Sequence, residues 1–249
     1  MRSGMIMRVV ISLLVILICA GGVEGQPGGN EPGRTDQAGM DARQAALNRL
    51  FGTVAGVDDP QASPWIRKDT QGFVRFLSAP AGGYFQITGT GQQSPEEVAD
   101  AFIRQNRPLL APDVNAMDFA RHRISRDGGK SFIRYRQTYG GLEVHASTVI
   151  VQVNQSGGVE ALVNDDMTDT SNLDEGSLAL TPTLESDTAV QRAQTWMTEQ
   201  YPGLTFESTS PELVIYSPEV MGLTGEIRLT WRLEIGDSEN TAPNERGQP

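Results

Sequence analysis

Between Phe132 and Val163 the chain alternates apolar and polar positions with a period of two, the spacing of a half-buried strand. Ile133, Tyr135, Gln137 and Tyr139 share one side of the first predicted strand, with Phe132, Arg134, Arg136 and Thr138 opposite. Gly140-Gly141 can take the positive φ of a tight hairpin turn, and the strand resumes from Leu142 to Val153. Asn154 to Gly158 closes that strand and Val159 to Val163 follows, so the stretch predicts a three-stranded antiparallel meander. In the middle strand the apolar phase starts on Leu142, Val144 and Ala146, then jumps to Val149, Val151 and Val153. A jump of this kind needs an extra residue, and a bulge is predicted near Ser147-Thr148.

Helical spacing appears elsewhere. Asp41 can cap a helix through Phe51 on an apolar stripe of Ala45, Ala46, Leu47 and Leu50. Ser94-Pro95-Glu96-Glu97 combines an N-cap, a proline at the first helical position and a glutamate that completes a capping box. Val98, Ala99, Phe102 and Ile103 then share one face, and the helix is expected to end before Pro108. Phe73 to Leu77 reads as a strand paired by Tyr84 to Thr88, whereas Ala120 to Ile124 reads as short and polar, entering the turn Asp127-Gly128-Gly129. Past Leu178, Ser186 caps a helix with Ala189, Val190, Ala193, Trp196 and Met197 inward, followed by strands at Glu212 to Tyr216 and Ile227 to Ile235.

The run Tyr135-Arg136-Gln137-Thr138-Tyr139, then Gly-Leu-x-Val and a Val-rich strand ending at glycine, resembles the propeptide domain of fungalysin and thermolysin-type secreted metalloproteases. Residues 73 to 233 can be laid onto that propeptide and the PepSY-like segment that usually follows it. The expected fold class is α+β: an antiparallel meander sheet packed by amphipathic helices, followed by a smaller, incomplete helix-on-antiparallel-sheet unit. The expected division is a signal peptide at 1–25, a flexible linker at 26–40, a propeptide-like domain at 41–170, a PepSY-like domain at 178–236 and a polar tail at 237–249.

Charge and targeting signals narrow the setting. Arg2 and Arg8 precede the apolar run Val9 to Ala20, which is short for a bilayer and is followed by small residues, as in a secretory signal peptide. Export to a secreted or periplasmic location is therefore expected, with no membrane attachment after cleavage. Cys19 is the single cysteine and lies inside the signal, so the mature chain has no disulfide, thiol nucleophile or cysteine ligand. The formal net charge of −11 repels phosphate backbones and argues against nucleic-acid binding.

A search for chemistry finds turns and packing instead of a reaction site. The two histidines, His122 and His145, form no His-Glu-x-x-His, so the zinc site and general base of a thermolysin-like protease are missing. His145 is expected on a strand beside Glu143 and on the same face, a half-exposed strand histidine without further ligands at a set spacing. The run Asn164 to Glu175 holds Asp165, Asp166, Asp169, Asp174 and Glu175 but lacks the EF-hand spacing, and is read as a solvated loop in preference to a calcium site. No catalytic, metal or cofactor residue is assigned, and the chain is expected not to be an enzyme.

The resemblance implies a module that assists folding of a secreted zinc-dependent metalloprotease and inhibits it, as part of a truncated or split precursor or acting in trans. A cell-envelope interaction or scaffold protein built from the same modules is the alternative. Tyr135, Gln137, Tyr139, Leu142, Glu143, His145 and Trp231 are the candidate partner contacts, with core packing the simpler reading for each aromatic.

Overall fold

The capping box at Ser94 forms as its sequence demands, and what it starts organises one face of the main sheet. The Ser94 hydroxyl accepts from Glu97 N at 3.3 Å, and the Glu97 carboxylate accepts from Ser94 N at 2.8 Å. The helix that follows buries Val98, Ala99, Ala101, Phe102 and Ile103.

The computed structural model describes residues 37–59, 61–89, 93–170, 173 and 178–237. The expected signal peptide, most of the linker and nearly all of the polar tail lie outside these residues. The described residues fall into two units, residues 37–177 with Ser217–Ile227, and residues 178–216 with 228–237. The larger unit contains, in order, α1 (Gln37–Phe51), β1 (Val54–Ala55), β2 (Trp65–Lys68), β3 (Val74–Ser78), β4 (Tyr84–Phe85), α2 (Pro95–Gln105), α3 (Arg107–Leu110), β5 (Met117–Asp127), β6 (Lys130–Tyr139), β7 (Leu142–Glu143), β8 (Val149–Val153) and β9 (Val159–Asn164). Its strands form one antiparallel sheet ordered β1-β4-β9-β8-β6-β5, with β3 also on β9, β2 on β3 and β7 on β6.

The three helices line one face. α2 packs on β6, β8 and β9, α3 on β3, and α1 on α3. Phe85, Phe102, Leu77, Leu109, Leu110, Ile133 and Leu162 are fully buried between them and the sheet. Both hairpin turns take the conformation that needs glycine at two successive positions, with φ of 55° and 77° at Gly128-Gly129 and 57° and 81° at Gly140-Gly141. Gly158 serves a different purpose: a Cβ there would lie 2.7 Å from the Cβ of Tyr84, so only glycine lets β4 close on the turn before β9.

Several expectations need correction. Ala120 to Ile124 is not a short polar connection but the middle of β5, the longest strand at 11 residues, hidden from pattern reading because it lies at the sheet edge with most side chains exposed. Tyr84 and Phe85 pair with β1 and β9, not with the strand after Phe73. The first helix starts at Gln37, before Asp41, whereas α2 ends at Gln105, before Pro108 as expected, and Pro108 lies in the first turn of the separate short helix α3, where its missing N–H costs nothing. The bulge near Ser147-Thr148 is larger than one residue. Thr138 faces Glu143 and Tyr135 faces Val149, so three steps along β6 match six along its partner. Three inserted residues, an odd number, invert the apolar phase as a single one would. The chain breaks pairing at His145–Thr148, with Ala146 forced to φ 62°.

The smaller unit contains α4 (Ser186–Gln200), β10 (Phe206–Ser208), β11 (Glu212–Tyr216), β12 (Arg228–Arg232) and β13 (Ile235–Asp237). Ala193 and Met197 of α4 pack on Leu233, Ile235 and Phe206, a helix on antiparallel strands as expected. The predicted strand Ile227 to Ile235 divides: β12 pairs with β11 and β13 with β10. Pro211 cannot donate to a ladder, and at the break the Thr209 hydroxyl accepts from Glu234 N at 3.0 Å. Glu185, not Ser186, is the N-cap of α4, and Trp196 stays 43% exposed instead of joining the stripe.

Candidate partner-binding surface

The side chains singled out from sequence separate by strand parity. Tyr135, Gln137 and Tyr139 follow Ile133 into the interior, with Gln137 at 0% exposure. As folded they offer no surface to a partner, because the alternation that groups them points Tyr135 at α2 and Gln137 and Tyr139 at the segment after β9. Tyr135 donates from its hydroxyl to Asp100 of α2 at 2.7 Å, and burial first, then this bond, pushes its phenol well above the usual range. Tyr139 donates to the Leu173 carbonyl at 3.3 Å.

Gln137 resolves its conflict between polarity and burial completely. Its amide nitrogen donates to the Met167 carbonyl at 2.9 Å while its amide oxygen accepts from Met167 N at 3.0 Å, so one side chain holds both backbone groups of the segment after β9. Its own N–H donates to the Ser147 hydroxyl at 2.9 Å, and its carbonyl accepts from Val144 N at 2.9 Å. Ser147 therefore replaces the ladder bond lost where β7 and β8 part. Asn164 works similarly, donating to the Val74 and Leu110 carbonyls at 2.8 and 3.0 Å.

The acidic run after β9 is not a solvated loop at its start. Arg75 of β3 donates to Asp69 at 3.1 Å, the Asp166 carbonyl at 2.5 Å, Thr168 at 2.8 Å and Glu219 at 2.7 Å. The second carboxylate oxygen of Glu219 accepts from the backbone of Thr168 and Asp169 at 2.9 and 2.8 Å. The guanidinium occupies the cationic position among these carboxylates, and among the described residues no cluster of three or more His, Cys, Asp or Glu could hold a metal. The Asp166 carboxyl is fully buried with both oxygens unpartnered, and desolvation raises its pKa well above the usual carboxylate range against the pull of Arg75. Asp174 and Glu175 lie outside the described residues.

The remaining candidates cluster at the far end of β6. Leu142 and Glu143 are half-buried beside the Gly140-Gly141 turn, and Glu143 pairs with Arg136. His145 leaves the strand for the turn at the break and does not share a face with Glu143 as expected. Arg136 also meets the His122 imidazole at 2.9 Å. Desolvation first, then Arg136 and, more weakly, Arg134 and Arg123, hold His122 below the usual imidazole range. Trp231 belongs to the smaller unit, where its indole N–H donates to the Leu184 carbonyl at 2.7 Å. The feature that sequence reading missed is the basic character of β5, since its arginines fall in a stretch not recognised as a strand.

Residues 118–165 match the family model of the Fungalysin/Thermolysin Propeptide Motif. The match starts one residue into β5 and ends one residue past β9, so it spans the consecutive strands from the β5 edge of the sheet to β9. It describes a propeptide module. No curated protein matches the sequence. Among solved structures, the Bacillus megaterium YpeB C-terminal domain is similar at a TM-score of 0.33 and 10% identity, covering 80% of this chain and 88% of that one.

Proposed function

We propose that the chain is a secreted propeptide-like module that binds a thermolysin- or fungalysin-type zinc metalloprotease, assists its folding and keeps it inactive. The observation that carries this reading is the coincidence of the propeptide motif, residues 118–165, with one antiparallel block, β5 to β9, that contains no helix. Such a block, locked by Gln137 and Asn164, is preorganised, so little entropy is lost when a partner holds it. Binding to the native-like state of the protease stabilises that state by mass action, which is the physical content of assisted folding. The smaller unit, a helix on antiparallel strands, fits the PepSY-like segment that the sequence suggests.

The test is titration of the purified full chain against thermolysin. Inhibition at micromolar concentration, together with a higher yield of active protease on refolding, is the expected result. Absence of both overturns the reading and leaves the scaffold alternative.

A further inference from the structure

We propose that the helix-free face of the main sheet is the docking surface, and that it receives an apolar spot ringed by carboxylates on the catalytic domain of that metalloprotease. This inference rests on the function proposed above and adds to it the surface and the chemistry of recognition.

The surface follows from the strand register. Residues directly opposite each other in paired strands share a face, and one unbroken row crosses six strands: Arg67, Phe76, Val163, Ile150, Arg134 and Arg123. Its middle is apolar and its ends are basic. The neighbouring row begins at Trp65, 66% exposed, whose ring lies 4.8 Å from that of Phe76, and includes the half-buried Phe132. α1, α2 and α3 all lie on the opposite face.

Electrostatics then select the occupant. The side chains of Arg67, Arg123 and Arg134 make no hydrogen bond or ion pair with any described residue, whereas the acids nearby are engaged, Glu143 by Arg136 and Glu160 by Lys130. Arg123 and Arg134 stand directly opposite each other, a like-charge pair that weakens a sheet. In a chain of net charge −11, unpaired arginines at the ends of a row of half-buried aromatic and aliphatic side chains, with Trp65 exposed beside them, are complementary to carboxylates around an apolar centre. The overall negative charge disfavours nucleic acid as the occupant. The edge of β5 is a poorer docking element: the register shift at His122 makes a bulge, a device that guards edges against strand addition. Size is adequate. Six strands span five gaps of about 4.8 Å, and strands averaging between five and seven residues at about 3.3 Å each give on the order of 400–550 Å², more than half of the ~800 Å² per partner of a stable interface.

The experiment compares the full-length wild type, the double variant Arg123→Glu/Arg134→Glu, and Arg104→Glu, an exposed basic residue on α2, as inhibitors of thermolysin. The double variant should lose about 100-fold in inhibition, and wild-type inhibition should weaken as salt rises. Arg104→Glu should stay within about threefold of wild type, on the footing of an exposed charge outside the contact. An unaffected, folded double variant overturns this inference and leaves the proposed function standing; failure of the wild type to inhibit overturns both. If the double variant does not fold, phenylglyoxal labelling of wild type decides the matter, because protection of Arg123 and Arg134 in the complex is required and free labelling refutes it. A wild-type dimer dispersed by the double substitution would assign the face to a second copy and refute the heterologous partner.

Discussion

The two faces of β6 differ by one residue step and by almost everything else. On the inner face, Ile133, Tyr135, Gln137 and Tyr139 are buried, and the polar groups among them are answered by Asp100, Met167 and Leu173. On the outer face, Arg134 is exposed and answered by nothing described, while Arg136 is half-exposed and shared between Glu143 and His122. The difference teaches that polarity in this sheet is sorted by function of place. Inside, a hydrogen bond left unmade is costly and the chain supplies every partner for Gln137. Outside, water pays that cost, and charges can be kept unpaired for another molecule.

The sharpest way to break this contrast is on the inner face. Gln137→Leu keeps the volume but leaves the Met167 N–H and carbonyl without their partners, at about 1–3 kcal/mol for each unsatisfied group. Urea unfolding should show a loss of roughly 3 kcal/mol; a midpoint equal to wild type would show that the Gln137 network contributes nothing.

Asp166 is the exception on the inner side, a buried carboxyl without a partner, and pH exposes it. Its folded-state pKa is raised, so its favourable contribution is complete below the unfolded value near 4 and is lost as pH rises through the folded value. Asp166→Asn removes that titration. The melting temperature of the variant relative to wild type should climb from acid toward neutral pH, each unit of the window adding ~1.4 kcal/mol. Parallel pH profiles for the two proteins would be incompatible with a buried neutral Asp166.

Ala146 sits where the inner phase is re-set. A non-glycine residue at φ 62° is strained, and this one is exposed, so Ala146→Gly should stabilise by about 0.5–1 kcal/mol, read by thermal melting. Destabilisation would mean that the methyl group packs productively.

The smallest effect belongs to the outer face. Arg134→Gln removes one member of the facing arginine pair and should shift stability by no more than ~0.5 kcal/mol, in the stabilising direction. A loss above 1 kcal/mol would place Arg134 in the structural network and blur the distinction between the faces.

Much of this organisation was legible beforehand because it is local. The capping box at Ser94 needs four consecutive residues, the glycine pairs dictate their turns, and the alternation along β6 assigned Ile133, Tyr135, Gln137 and Tyr139 to one side. What stayed illegible depends on neighbours distant in sequence. β5 has the pattern of an edge strand, mostly exposed, and only pairing with β6 identifies it. Asp166 looks like its solvated neighbours until Arg75, some ninety residues earlier, draws its backbone inward at 2.5 Å. Reading the buried Tyr135, Gln137 and Tyr139 as partner contacts followed from not knowing which side the helices cover.

By itself, then, the order of residues determined the antiparallel hairpins, the amphipathic helices and the charge balance, since each is set by backbone preference and side-chain chemistry within a few positions. Tertiary structure alone decided that Arg67, Phe76, Val163, Ile150, Arg134 and Arg123 stand in one row, because register between strands is a property of the assembled sheet. It also decided which carboxylates are paired and which is buried, since those depend on dielectric and distance, and neither is written in sequence separation.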